Sequence, residues 1–115
     1  MKRILKLIEL ECCFIHYDND SNFHIVDNIK EADGIEFICP KCFELNNYER
    51  PGVHPIICWE PNVPQTINPI PGRWNLIGTS LKDLELKAGS SSILLTSGCG
   101  AHFFIRNGQI VDGNW

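Results

Sequence analysis

Apolar and polar positions alternate along this chain in short bursts, too brief for long helices and well suited to strands. Residues 4–17 are rich in Ile, Leu, Cys and Phe, and their first half fits period 3.6 and period 2 equally. The second half, Glu11-Cys12-Cys13-Phe14-Ile15, reads as a strand. Asp18 to Asn22 is a turn by composition, and Phe23-His24-Ile25-Val26 reads as a short strand returning against the first. Asp27 to Gly34 has the form of one helical turn, capped by Asp27 and ended by Gly34. Ile35-Glu36-Phe37-Ile38 alternates and runs into Cys39-Pro40-Lys41-Cys42.

Residues 44–52 are polar and turn-like, and Phe43 to Asn47 is a poor helix. Val53 to Trp59 reads as a strand that Pro55 confines to a sheet edge or a strand start. Residues 60–72 form a proline-rich surface loop, expected to be extended and tied down by Trp59 and Trp74. Arg73 to Leu76 and Asp83 to Leu86 are two further short strands, separated by Gly78-Thr79-Ser80. Ser90-Ser91-Ser92 reads as a flexible approach to the apolar run Ile93 to Thr96. Asn107-Gly108 lies between Phe103-Phe104-Ile105-Arg106 and Gln109-Ile110-Val111-Asp112, a strong hairpin signal because both turn residues tolerate positive φ. The expected fold is mainly β, as one domain over residues 1–115, with residues 1–26 an N-terminal strand region and 27–112 the core.

Length and charge sharpen this picture. A chain of 115 residues buries only about two-thirds of its unfolded surface, so a metal staple would contribute usefully to stability. Ten basic against fourteen acidic residues give a net charge of −4, which opposes tight binding to a phosphate backbone. The one basic cluster is Lys2, Arg3 and Lys6. Lys6, Glu9 and Glu11 interrupt the apolar N-terminal run, so no secretory segment is expected, and no stretch has the length of a membrane span. A cytoplasmic location is the expectation. There the six cysteines read as metal ligands or buried thiols rather than disulfides.

Two ligand pairs carry the chemistry. Cys39-Pro40-Lys41-Cys42 is a C-x2-C and Cys99-Gly100-Ala101-His102 is a C-x2-H. Each follows a predicted strand, and each supplies half of a tetrahedron for zinc, in the manner of the two knuckles of a zinc ribbon. Gly98, Gly100 and Ala101 are small enough to let backbone N–H groups approach the sulfurs. The expected ligands are Cys39, Cys42, Cys99 and His102, a closed and therefore structural set. A redox C-x2-C is disfavoured because it wants a helix after the strand. His54 is a second-shell partner of the metal or an alternative ligand. Cys58 reads as a core residue, and Cys12 and Cys13 face opposite sides of a strand. His16 and His24 have no ligand-like neighbours and read as surface residues. Trp59 and Trp74 read as packing residues, with an interaction surface as the alternative.

With these residues in view, the chain resembles a small, uncharacterised zinc-binding domain family of tailed bacteriophages and prophages. That family has relatives in bacterial operons for ubiquitin-like conjugation. The matching stretches run from Ala32 to Cys42, His54 through Cys58-Trp59, Pro71 to Trp74, Gly78 to Ser80, Asp83 to Leu86, and Ser92 to Phe104 with the hairpin after it. The resemblance implies that the two ligand pairs act together and that His54 and Trp59 belong to one unit with the metal. It carries no activity. The function expected is that of a non-enzymatic, zinc-stabilised phage accessory protein that binds a protein partner, such as a host defence or regulatory factor. The alternatives are a zinc-dependent hydrolase, peptidase-like and linked to ubiquitin-like modifiers, with His54 or one of Glu36, Glu44 and Glu60 as base, and a zinc-ribbon nucleic-acid binder.

Overall fold

A computed structural model describes residues 4–20, 22–69, 72–88, 92–94 and 99–113, and among them it shows nine short strands, one α-helix and two 3-10 turns. Expectations that fall on Lys2, Arg3, Pro71, Ser90, Ser91, Leu95, Thr96 and Gly98 lie outside the described residues. The architecture is mainly β and antiparallel, as the alternation predicts.

Strand β1 (Cys13–Asn19) turns back on β2 (Asn22–Val26), and β1 also pairs with β3 (Gly34–Ile38), which pairs with β4 (Pro55–Trp59). The sheet order is β2-β1-β3-β4. Pro55 opens β4, and β4 is an edge strand, which is where a residue without an N–H fits. Val53 and His54 precede the strand rather than belonging to it. Between β2 and β3 the single turn is a 3-10 turn, Ile29–Glu31. Asn28, not Asp27, caps it by accepting from the Glu31 N–H, and Gly34 begins β3 instead of ending the turn. The ambiguous start resolves into a 3-10 turn, Leu7–Glu9, placed beside the C-terminal hairpin by Leu7 N–H to Gly108 O and Ile110 N–H to Leu5 O.

Strands β5 (Asn75–Ile77) and β6 (Glu85–Lys87) make a two-stranded ribbon. Strands β7 (Ile93–Leu94), β8 (His102–Arg106) and β9 (Gln109–Val111) make a three-stranded sheet. The β8–β9 turn has Asn107 at φ 51° and Gly108 at φ 69°, the left-handed pair that the Asn-Gly signal calls for.

Direct cross-strand partners share a face. Phe14 opposes Ile35, Ile35 opposes Cys58 and Phe37 opposes Ile56, so these side chains point together into the main core. Phe103 and Ile105 of β8 meet them from the other sheet, with Phe37 and Phe103 edge to face at 6.1 Å. Ile15, Trp59 and Val63 form a second cluster with Cys13, Tyr17 and Phe23. Cys12 packs with the first cluster and Cys13 with the second, as their opposite orientation requires, and Cys58 is buried in the first.

The loop after β4 is fastened at both ends. Trp59 Nε1 donates to Asn68 O, and the Arg73 guanidinium donates to the carbonyls of Val63, Pro64, Ile67, Pro69 and Gly72. Among the described residues no helix is long and apolar enough to cross a membrane.

Candidate metal centre

The end of β3 delivers the first ligand. Cys39 follows Ile38 directly and is fully buried. The chain does not turn there as a bare knuckle: it enters the helix α1, Pro40–Leu45, with Cys39 as its N-cap residue. This corrects the expectation of a poor helix. Pro40 at the first helical position has its φ preset for a helix and lacks an N–H that would be unpaired there anyway. Phe43 is then buried in the main core and stacks edge to face on Tyr48 at 5.7 Å, so tertiary packing holds a segment of modest propensity. One helical turn brings Cys42 round beside Cys39, and the Cys42 N–H donates to the Cys39 sulfur.

The β3–β4 register supplies the second element. Ile38 opposes Pro55, and the ladder continues one bond further, from Cys39 N–H to His54 O at 2.9 Å. His54 is thereby held opposite Cys39. Its Nε2 lies 3.4 Å from the sulfur of Cys99, which lies 3.6 Å from the sulfur of Cys39. Cys99 arrives from the segment before β8, where Gly100 takes φ +67° and the Ala101 N–H donates to the Cys99 sulfur. Lys41 donates from its ammonium to the Cys99 carbonyl at 2.5 Å.

Cys39, Cys42, His54 and Cys99 thus place one ligand atom each within 4.8 Å of all the others. They could hold a metal ion. Metal–sulfur bonds of about 2.3 Å and metal–nitrogen bonds of about 2.0 Å give tetrahedral edges of roughly 3.8 Å between sulfurs and 3.5 Å from sulfur to nitrogen. The sulfur–sulfur and sulfur–nitrogen separations, 3.6 and 3.4 Å, lie just inside those edges. The donor set, three thiols and one imidazole, fits a tetrahedral ion of borderline softness.

His102 is not in this group, whose fourth member is His54, the alternative ligand that the sequence offers. Phe103 and Ile105 of β8 point into the core, so alternation turns His102 and Phe104 the other way. The His102 ring rests 6.0 Å from that of Phe104, while Ala101 is buried. The signal that selects His54 is the strand register, which carries the β3–β4 pairing one step past its end. The same packing closes Trp59 to any external surface: only 2% of it is exposed, and its ring meets Tyr17 and Phe23. Trp74 is half-buried against the main core. Trp115 lies outside the described residues.

Without a metal the three thiols are unequal. Burial pushes Cys39 up to about 12 and raises Cys42. Burial acts on Cys99 in the same direction. It is outweighed by the hydrogen bonds from His54, the Ala101 N–H and the other two cysteines, which bring Cys99 down to about 7. Burial also raises Cys12 and Cys58, as expected of inert core thiols.

No protein-family profile matches the chain. No solved structure matches it either. One stretch of 26 residues, 23% of the chain, is 62% identical to the Transposable element P transposase of Drosophila melanogaster. The chain spans 4% of the length of that relative, a likeness too partial to show a family.

Proposed function

We propose that Cys39, Cys42, His54 and Cys99 bind one zinc ion with a structural role, and that the chain is a non-enzymatic, zinc-stabilised module that binds a protein partner. The observation that carries this reading is the mutual approach of four ligand atoms from three separate segments to within 4.8 Å. Four protein ligands close the tetrahedron and leave no position for the water that a catalytic zinc activates. The net charge of −4 favours a partner with basic surface and opposes a nucleic acid. All six cysteines are free, in keeping with a reducing cytoplasm. The resemblance described above supports reading the chain as a phage or prophage accessory protein that would act in the host cytoplasm on a host defence or regulatory factor.

One observation favours a zinc hydrolase instead. His54 is exposed while Cys39 is buried, so the imidazole is the ligand most readily exchanged for water. X-ray absorption on the purified protein separates the two readings. The structural reading expects about one zinc per chain, with a first shell of three sulfurs and one imidazole nitrogen. It also expects His54→Ala to lose or weaken the zinc and His102→Ala to keep it. A shell holding a water oxygen, with turnover of peptide substrates, overturns the structural reading.

A further inference from the structure

His16 and His24 stand directly opposite one another on β1 and β2. Nothing in their local sequence offers either a ligand partner, yet the strand pairing makes each the neighbour of the other. Their ring centroids are 5.3 Å apart, with planes inclined at 55°. Each ring is held through its Nδ1. His16 Nδ1 lies 2.9 Å from Asp33 Oδ2 and 3.0 Å from the Glu31 carbonyl oxygen. His24 Nδ1 lies 2.9 Å from both carboxylate oxygens of Asp18. Asp33 is fixed in its turn, accepting from the Tyr17 N–H at 2.8 Å and from Asn62 Nδ2 at 2.9 Å. Neither Nε2 makes a hydrogen bond or ion pair among the described residues. The side chains are 45% and 56% exposed, so an ion can reach them.

An imidazole whose Nδ1–H is committed to a carboxylate or carbonyl keeps its lone pair on Nε2, the arrangement found behind metal-bound histidines. The spacing of the two rings is also informative. Two imidazoles bound to one ion at about 2.0–2.1 Å set their centroids roughly 4.5–5.2 Å apart, for ligand angles from square to tetrahedral. The observed 5.3 Å lies just beyond the tetrahedral end of that range. Cross-strand pairing by itself brings opposed side chains to about 5 Å, but it does not require both rings to be anchored through Nδ1 with both Nε2 atoms unpartnered among the described residues.

We propose that His16 and His24 form a second metal site, distinct from the cysteine cluster, that binds a divalent first-row transition ion through their two Nε2 atoms. Imidazole nitrogens favour nickel, copper or zinc over the oxygen-seeking calcium and magnesium. Two protein ligands leave the remaining positions to water or to a partner's donor, so this site exchanges its ion whereas the cysteine cluster retains one. Asp18 and Asp33 are positioning residues for the two rings.

The test is titration of the full chain, loaded with one equivalent of zinc, with nickel chloride, followed calorimetrically while released zinc is measured. One nickel ion binds per chain without release of zinc. His16→Ala and His24→Ala each weaken it at least tenfold, and Asp33→Asn weakens it roughly 10- to 100-fold. If the His16→Ala/His24→Ala double variant binds nickel as tightly as wild type, or nickel enters only as zinc leaves, the proposal is overturned. The wild-type chain gives an independent readout. A second equivalent of zinc shifts the imidazole nitrogen resonances of His16 and His24, and shifts confined to His54 or His102 overturn the proposal equally.

Discussion

Lys41 sits between the two cysteines of the first ligand pair, and its ammonium reaches the Cys99 carbonyl across the centre. Three thiolates around one divalent ion leave a net charge of −1, and an ammonium in the adjacent shell offsets it. Lys41→Met keeps the length of the side chain and removes the charge and the donor. We expect zinc affinity to fall about 5- to 30-fold, the equivalent of roughly 1–2 kcal/mol for a charged hydrogen bond, in competition with a chromophoric chelator. Protonation acts on the same centre. In the metal-free chain burial holds Cys39 up at about 12 and Cys42 above its ordinary value, while Cys99 is drawn down to about 7. At neutral pH the first two therefore carry protons that the metal must displace. Fewer protons compete as pH rises, so affinity rises with pH, and uptake near pH 7 releases about two to three protons per ion, Cys99 giving up the last fraction. A pH-indicator dye in weakly buffered solution measures that release, and an affinity that is flat from pH 6 to 8 contradicts the unequal thiols.

The β3–β4 pair is the element on which the centre depends, since its register sets His54 across from Cys39. Gly34 begins that pair at a place where no side chain fits. A Cβ there would lie 2.5 Å from the Cys58 carbonyl oxygen and 2.9 Å from Cε3 of Trp59, both part of the sheet or its packed face. Gly34→Ala must therefore displace β4, and we expect a loss of about 2–4 kcal/mol in urea unfolding, with reduced zinc occupancy because β4 carries His54 into place. The loop after β4 is more local. Arg73 ties together five carbonyls that a lysine's single ammonium cannot reach at once, so Arg73→Lys should cost about 1–3 kcal/mol and alter the Trp59 fluorescence. What the sequence revealed follows the same division. The short strands and the Asn107-Gly108 hairpin were legible, because alternation and turn chemistry are local. Cys39, Cys42 and Cys99 were legible as a group because thiols at such spacing suit a shared metal ion. Helix α1 was not, because burial of Phe43 in a distant core stabilises it. The choice of His54 over His102 was hidden because it depends on where β4 registers against β3 and which way β8 faces. The His16–His24 pair was hidden for the same reason.

At the scale of the whole molecule, the ion would join parts of the chain that the sheets leave separate. The main core draws on residues from Leu5 to Ile110, yet its two sides come from different sheets, meeting at contacts such as Phe37 on Phe103. Among the described residues no strand pairing links the β2-β1-β3-β4 sheet to the β7-β8-β9 sheet. The metal centre would supply that link, because Cys39 and Cys42 follow β3, His54 precedes β4 and Cys99 precedes β8. Cys39 and Cys99 are 60 residues apart in the chain. Closing a loop of that length removes about 4 kcal/mol of conformational freedom from the unfolded state, on the chain-entropy account used for disulfides. In a domain with net stability of about 5–15 kcal/mol, that is a large share. Removing zinc with a chelator should therefore lower Tm by about 10 °C or more. The loss should also be uneven. Amide exchange should quicken first in β8 and β9 and at the start of β4, which the ion fastens. The β1–β2 hairpin, whose hydrogen bonds do not involve the centre, should keep its protection until the remaining core gives way. A metal-free chain that melts at the same temperature, with unchanged protection in β8, would mean that core packing alone joins the two sheets and that the four ligands hold nothing the fold requires.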